Sequence, residues 1–402
     1  MREIILINVA GADRPGVTSS LAGILSQFDV NVLDVGQSVI HDTLSLGMLI
    51  EVPAGQDSAP LLKDILFRCH EIGLQLRFTP IGADSYELWA AGQGNARHII
   101  TVLARRITAE HLARVSATIA EFGLNIDRID RLSGRVALGD EQPGDKACVE
   151  ISARGPLNDG EFRARCMQLA GELDIDIAYQ EDNMFRRTRR LVCFDMDSTL
   201  IDAEVIDELA KAAGVGAQVA EITERAMRGE LDFTASFKAR VALLKGLDAG
   251  VLDSIAQSLR LNEGAERLIA TLKRLGYKTA ILSGGFNYFG RHLQQRLGID
   301  YVYANELEVA DGKVTGNVVG DVVDGKRKAQ LLRELAAKEN ISLDQVIAVG
   351  DGANDLPMLG IAGLGIAFRA KPIVKQSAKQ AISTLGLDGI LYLLGISDRY
   401  AD

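Results

Sequence analysis

Short apolar runs and amphipathic stretches alternate along the first half of the chain. Residues 4–10 (Ile-Ile-Leu-Ile-Asn-Val-Ala) form an apolar run of strand length, and the turn Gly11-Ala12-Asp13-Arg14-Pro15-Gly16 follows it. From residue 17 to 28 the period changes, and Leu21, Ile24, Leu25 and Phe28 share one helical face. Residues 30–37 and 45–52 read as strands, residues 61–72 as a second helix and residues 75–79 as a closing strand. The predicted order is βαββαβ.

The order then recurs. Residues 99–103 read as a strand and 109–121 as a helix, and Ile5, Ala10, Phe28 and Asn31 find Ile99, Ala104, Phe122 and Asn125 at one constant offset. Two related modules are therefore expected over residues 1–82 and 96–180, with residues 82–95 as their linker. The copies differ at the turn: Gly11, Asp13, Pro15 and Gly16 align with Arg105, Ile107, Ala109 and Glu110. The basic run in residues 181–190 reads as a solvated boundary.

From residue 191 apolar strands alternate with amphipathic helices. Residues 191–194, 278–282 and 346–349 are buried-strand candidates, and 307–319 reads as a hairpin turning at Asp311-Gly312. Helices are expected over 206–213, 219–228, 233–244, 251–259, 265–275 and 327–339. This alternation predicts an α/β fold with a Rossmann-like parallel sheet.

Composition narrows the function. Hydrophobic residues make up 47% of 402 residues, an ordinary globular balance. Asp and Glu number 54 against 44 Lys and Arg, and a net charge of −10 disfavours nucleic acid as a partner. No apolar stretch reaches the ~20 residues of a membrane span, and the N-terminus carries no leader pattern, so a cytoplasmic protein is expected. The scattered cysteines Cys69, Cys148, Cys166 and Cys193 read as buried thiols.

The candidate chemistry lies at strand ends. Asp195-Met196-Asp197-Ser198-Thr199 follows the first strand of the second half, where two carboxylates can divide labour as nucleophile and acid–base or hold a hard cation. Ser283-Gly284-Gly285 ends another strand and offers a hydroxyl and free amides to phosphoryl oxygens. Lys328 starts a helix, and Gly350-Asp351-Gly352-Ala353-Asn354-Asp355 follows a third strand. Singly these are ordinary turns and a surface lysine; their joint order is not.

The set resembles the four motifs of the haloacid dehalogenase superfamily of aspartate-nucleophile phosphotransferases. Between the motifs, Glu204, Met227, Phe233 and Arg240 are similar to the helical cap of phosphoserine phosphatases. That resemblance implies a catalytic domain over 186–402, with its core at 186–200 and 265–402 and a cap at about 203–262. It implies Asp195 as nucleophile and Asp197 as proton donor and acceptor. It implies Mg2+ on Asp195, Asp351 and the backbone carbonyl of Asp197, completed by Asn354 and Asp355. It implies Ser283, Gly284, Lys328 and Asn354 on the phosphoryl group, Glu204 on an ammonium, Arg240 on a carboxylate, and Met227 and Phe233 as shields. O-phosphoserine is the implied substrate.

The paired N-terminal modules resemble ACT domains, which are α+β ferredoxin-like regulatory units. Gly11, Asp13 and Gly16 match that family's ligand turn, which implies serine as effector and a homodimer. Two rival readings remain at this point: another small-molecule phosphatase on the same fold, and an amino-acid sensor with an inert phosphatase half.

Overall fold

The computed structural model describes residues 3–94, 96–135 and 146–401, apart from the side chains of Met227 and Ala401. The chain divides into two units, residues 1–95 and 96–402.

In the first unit β1 (Glu3–Ala12), β2 (Asn31–Ile40), β3 (Thr43–Val52) and β4 (Gln75–Ile81) form an antiparallel sheet in the order β2-β3-β1-β4. Helices α1 (Val17–Ser26) and α2 (Ala59–Glu71) bury Leu21, Leu25, Leu61 and Ile65 against one face, on Ile5, Ile7 and Val9. The period of two is plain in β3, where Leu44, Leu46, Met48, Ile50 and Val52 point inward. The expected linker is not plain coil: α3 (Ala83–Ala91) occupies most of it. That run lacks glycine and proline and is rich in helix formers, although it buries nothing.

The second unit opens with the same order: β5 (Arg97–Ala104), α4 (Ala109–Glu121), β6 (Asn125–Arg131), β7 (Ala147–Arg154), α5 (Asp159–Leu173) and β8 (Asp176–Glu181). Its sheet runs β6-β7-β5-β8, the arrangement of the first copy. The burial differs. After Arg97 every residue of β5 is buried, because both faces are covered. One face meets α4 and α5, and on the other Leu103, Cys148 and Ala178 join the apolar cluster of the α/β half.

That α/β half has a seven-stranded sheet. Its strands are β9 (Leu191–Phe194), β10 (Lys278–Phe286), β11 (Tyr301–Ala310), β12 (Lys313–Val319), β13 (Val346–Gly350), β14 (Leu364–Phe368) and β15 (Gln380–Ile382), in the order β12-β11-β10-β9-β13-β14-β15. Only β12 is antiparallel, and the β11–β12 turn sits at Asp311 (φ 50°) and Gly312 (φ 75°), as expected. Successive residues of β9 enter opposite layers. Val192 and Phe194 face one cluster, and Leu191 and Cys193 the other. This two-sided burial explains why these strands read as continuous apolar runs. All four cysteines are buried free thiols.

Helices α6 (Val205–Ala212), α7 (Gly216–Met227), α8 (Phe233–Ala242) and α9 (Gly250–Ser258) form an insertion after β9. Helices α10 (Ala265–Arg274), α11 (Asn287–Leu297), α12 (Gly325–Lys338) and α13 (Leu356–Ile361) belong to the sheet layers. Among the described residues no helix is long and apolar enough to cross a membrane.

The junction between β8 and β9 corrects the sequence reading. Arg186 is 3% and Arg189 5% exposed, so this basic run is solvated only in part, at Arg187 and Arg190. Arg186 pairs with Glu150 of β7, and Arg189 donates to Gln180 of β8 at 3.0 Å. A charged residue this buried needs such partners, and its partners lie in the preceding module.

Asp176 fastens the same joint. Its Oδ2 accepts from the amides of Ser383 and Thr384 at 2.8 Å each and from the Thr384 hydroxyl at 2.7 Å. Asp176→Ala strands two half-buried amides and should lower stability by about 2 kcal/mol. Urea unfolding followed by circular dichroism checks this.

Candidate active site

Strands β10, β9 and β13 lie side by side and parallel, so their carboxyl ends open on one crevice. Asp195 follows β9, Ser283 sits late in β10, and Asp351 follows β13. Asp195 is 6% exposed; its Oδ1 accepts from the Met196 amide at 2.7 Å and its Oδ2 meets Lys328 Nζ at 2.9 Å. Lys328, carried on the first turn of α12 and fully buried, also donates to Asp355 Oδ1 at 2.7 Å. Burial works against its ammonium, but Asp195 and Asp355 outweigh that and raise its pKa. The bonds of Lys328 go to these acids, while the Ser283 hydroxyl accepts from the Gly285 amide at 2.9 Å.

Asp195, Asp351 and Asp355 bring carboxylate oxygens within 4.8 Å of one another. Asp355 Oδ2 accepts from the amides of Asp351 (3.0 Å) and Gly352 (2.9 Å), which folds the turn that carries Asp351. Thr199 Oγ1 donates to Asp351 Oδ1 at 2.9 Å. Burial, then the charge of Asp195, pushes Asp351 up to about 8 and Asp355 up to about 7. Lys328 alone does not neutralise three crowded acids. Their hard oxygen donors and excess negative charge fit a divalent cation such as Mg2+. Asp355 stands in this group, whereas the Asp197 carboxylate does not.

Asp197 lies one turn away. Its Oδ1 accepts from the Val205 amide at 3.1 Å, and burial, followed by the charges of Glu204 and Asp195, pushes its pKa well above the usual carboxylate range. A Cβ on Gly285 would stand 2.3 Å from Asp197 Oδ2, so only glycine lets β10 approach this acid. Ser198 follows in the left-handed region (φ 56°), and its hydroxyl donates to Glu204 Oε1 at 2.7 Å.

The inserted helices bring the other expected residues over the crevice. Glu204 directly precedes α6, and burial raises its pKa although Ser198 and Arg240 oppose that. Phe233 begins α8, rests its ring edge against Gly284 and stacks on Phe237 at 6.1 Å. Arg240 ends α8; its Nε is buried without a hydrogen-bond partner among the described residues. Met227 ends α7, and its side chain lies outside the described residues. Asn354 follows Asp351 in the same turn.

Sequence reasoning missed three polar residues here. Thr199 stands inside the Asp195–Thr199 motif, but nothing local marks it as the partner of Asp351. Asn305 donates to the Gly284 carbonyl and accepts from the Val323 amide, both at 2.8 Å, fixing the Ser283-Gly284-Gly285 segment. Asn262 binds the turn after Asp197. Neither asparagine lies in a local motif.

Comparison with known proteins agrees with this geometry. The haloacid dehalogenase-like hydrolase family matches residues 192–360, and two ACT-domain families match residues 3–79 and 96–180. A phosphoserine phosphatase of Streptomyces coelicolor is 42% identical over 98% of this chain and 92% of its own length. One of Mycobacterium tuberculosis is 42% identical over 98% and 93%. This chain belongs to the phosphoserine phosphatase family of haloacid dehalogenase-like hydrolases. Among solved structures, a haloacid dehalogenase family hydrolase of Salmonella enterica serovar Typhi superposes with a TM-score of 0.63 at 32% identity, covering 75% of this chain and 99% of that one. An unliganded Vibrio cholerae protein described as a probable phosphoserine phosphatase gives 0.59 at 35% identity, covering 75% and 88%.

The crowding of acids has a measurable cost. A carboxyl whose folded pKa is raised loses stability as pH rises from its unfolded value to its folded one. In EDTA, Asp351→Asn keeps an acceptor for Thr199, removes a like charge and should raise Tm by about 2–4 °C at pH 8. The gain should shrink as pH falls towards 4. Scanning calorimetry at several pH values checks both statements.

Proposed function

We propose that this enzyme hydrolyses O-phospho-L-serine to L-serine and phosphate in two steps. The observation that carries the reading is the opposed pair Glu204 and Arg240 within electrostatic reach of Asp197, with the buried Arg240 Nε unpartnered among the described residues. A zwitterionic amino-acid head needs one anion for its ammonium and one cation for its carboxylate. The full-length likeness to phosphoserine phosphatases supports the same substrate.

In the first step an Asp195 oxygen forms a bond to phosphorus as the ester bond to the serine oxygen breaks, leaving an aspartyl-phosphate. Asp197, kept protonated by its burial, gives its proton to the departing oxygen. In the second step Asp197 takes a proton from water, whose oxygen displaces Asp195 from phosphorus. Lys328, Ser283, Asn354 and the Gly284 amide hold the phosphoryl oxygens. Asp195, Asp351 and Asp355, with the Asp197 carbonyl, would hold Mg2+, which supplies positive charge between anions that otherwise repel. Phe233 shields the site from water.

The first ACT module is proposed to bind serine as a feedback effector at Gly11, Asp13 and Gly16. Gly16 has φ 91° and opens α1, so the amides of that helix start are free of a side chain there. A homodimer fits the edge strand β2, which exposes Val32, Val35, Val39 and Ile40.

Phosphate release from phosphoserine tests the reading. Asp195→Asn should lose at least about 10³-fold in kcat, and EDTA should abolish turnover. Arg240→Ala should raise KM for phosphoserine about 10- to 100-fold and leave p-nitrophenyl phosphate turnover nearly unchanged. Equal effects on both substrates would remove Arg240 from substrate recognition. L-Serine at millimolar levels should bind and change the rate; the absence of both responses would retire the feedback reading.

A further inference from the structure

The chain leaves the sheet layers at Ile201 and returns at Leu261, and these two residues form an antiparallel bridge. The Asp202 amide donates to the Arg260 carbonyl at 3.0 Å, and the Asn262 amide to the Leu200 carbonyl at 2.9 Å. Asn262 is 6% exposed. Its side-chain Nδ2 donates to three carbonyls, those of Ser198 (3.2 Å), Thr199 (2.8 Å) and Ile201 (3.2 Å). The two hydrogens of the amide serve this convergence with one of them shared between two carbonyls, and a carboxylate of the same shape repels it.

This turn aims the site. It begins at Asp197, holds Ser198 in the left-handed region, and carries the hydroxyls that bind Glu204 and Asp351. A non-glycine residue there is strained and persists only where its surroundings over-determine it. Asn262 supplies that constraint.

Asn262 is itself held from outside. Its neighbour Glu263 accepts a two-pronged contact from Arg105, at 2.7 and 2.6 Å, and a bond from Arg369 at 2.8 Å. Arg369 also reaches Asn262 Oδ1 at 3.5 Å. Arg105 directly follows β5 in the second ACT module, at the position that aligns with Gly11 of the first. Its side chain is 39% and that of Glu263 37% exposed, so the pair adds little stability. What a planar, two-pronged pair fixes is orientation.

We propose that Asn262 is a positioning residue for the proposed reaction, and that the second ACT module keeps it in register through the grip of Arg105 on Glu263. The proposal rests on the functional reading above. In the second copy, the residue that would open a ligand turn braces the catalytic turn instead.

The test measures kcat and KM for phosphoserine and p-nitrophenyl phosphate, with Tm, on the full chain. Asn262→Asp should lower kcat about 30-fold or more on both substrates while KM moves less than about threefold. Arg105→Gln and Glu263→Gln should each lower kcat about threefold or more with Tm nearly unchanged, and the double variant should be no worse than Glu263→Gln alone. Wild-type kcat in Asn262→Asp, or single effects that multiply, would overturn the proposal. If Asn262→Asp does not melt cooperatively, the half-exposed Arg105–Glu263 cycle decides alone. A wild type that turns over only p-nitrophenyl phosphate would sink the substrate reading, and the same comparisons would then run on that compound.

Discussion

The site depends on one buried ammonium. Lys328 stands fully buried between Asp195 and Asp355, and without it those acids could not share so small a space. The parallel sheet makes this possible. It sets Asp195 and Asp351 on adjacent strand ends, and α12 supplies the lysine from the layer behind. Even so the charge is only partly balanced, and burial first, then the charge of Asp195, leaves Asp351 and Asp355 reluctant to ionise. A centre with that residual imbalance is prepared to receive a cation and then a phosphoryl group.

The two N-terminal modules show how one fold serves two mechanical situations. In the first, β3 alternates buried and more open positions because a single helical layer covers the sheet. In the second, the outer face packs on the α/β half, and β5 is buried from His98 to Ala104. The joint between module and enzyme is polar as well as apolar. The Gln380 side chain exchanges hydrogen bonds with the Tyr179 backbone, and Lys146 and Arg267 meet the buried Asp388.

Much of this was legible in the sequence because its causes are local. Each strand of the sheet core is an apolar run, and Asp195, Ser283 and Asp351 lie where those runs end. The repeat was legible from matched residues at one spacing. The rest depends on contacts distant in the chain. Asn262 and Asn305 act through carbonyls far from them in sequence, so nothing beside them marks their role. Arg186 and Arg189 look solvated because their acceptors, Glu150 and Gln180, lie in another module. Arg105 read only as the loss of a glycine, since its partner Glu263 is remote.

The bridge between Ile201 and Leu261 has a consequence for how such enzymes diversify. Because exit and re-entry points touch, everything between them is a loop whose ends are already joined, and its length weighs little on folding. The inserted helices can therefore be exchanged as a cassette, by recombination or by design, without breaking the ladder of the parallel strands, provided that residues 246–249, which bond to β12 and its turn, are kept. New substrates become accessible to an old reaction through that single splice.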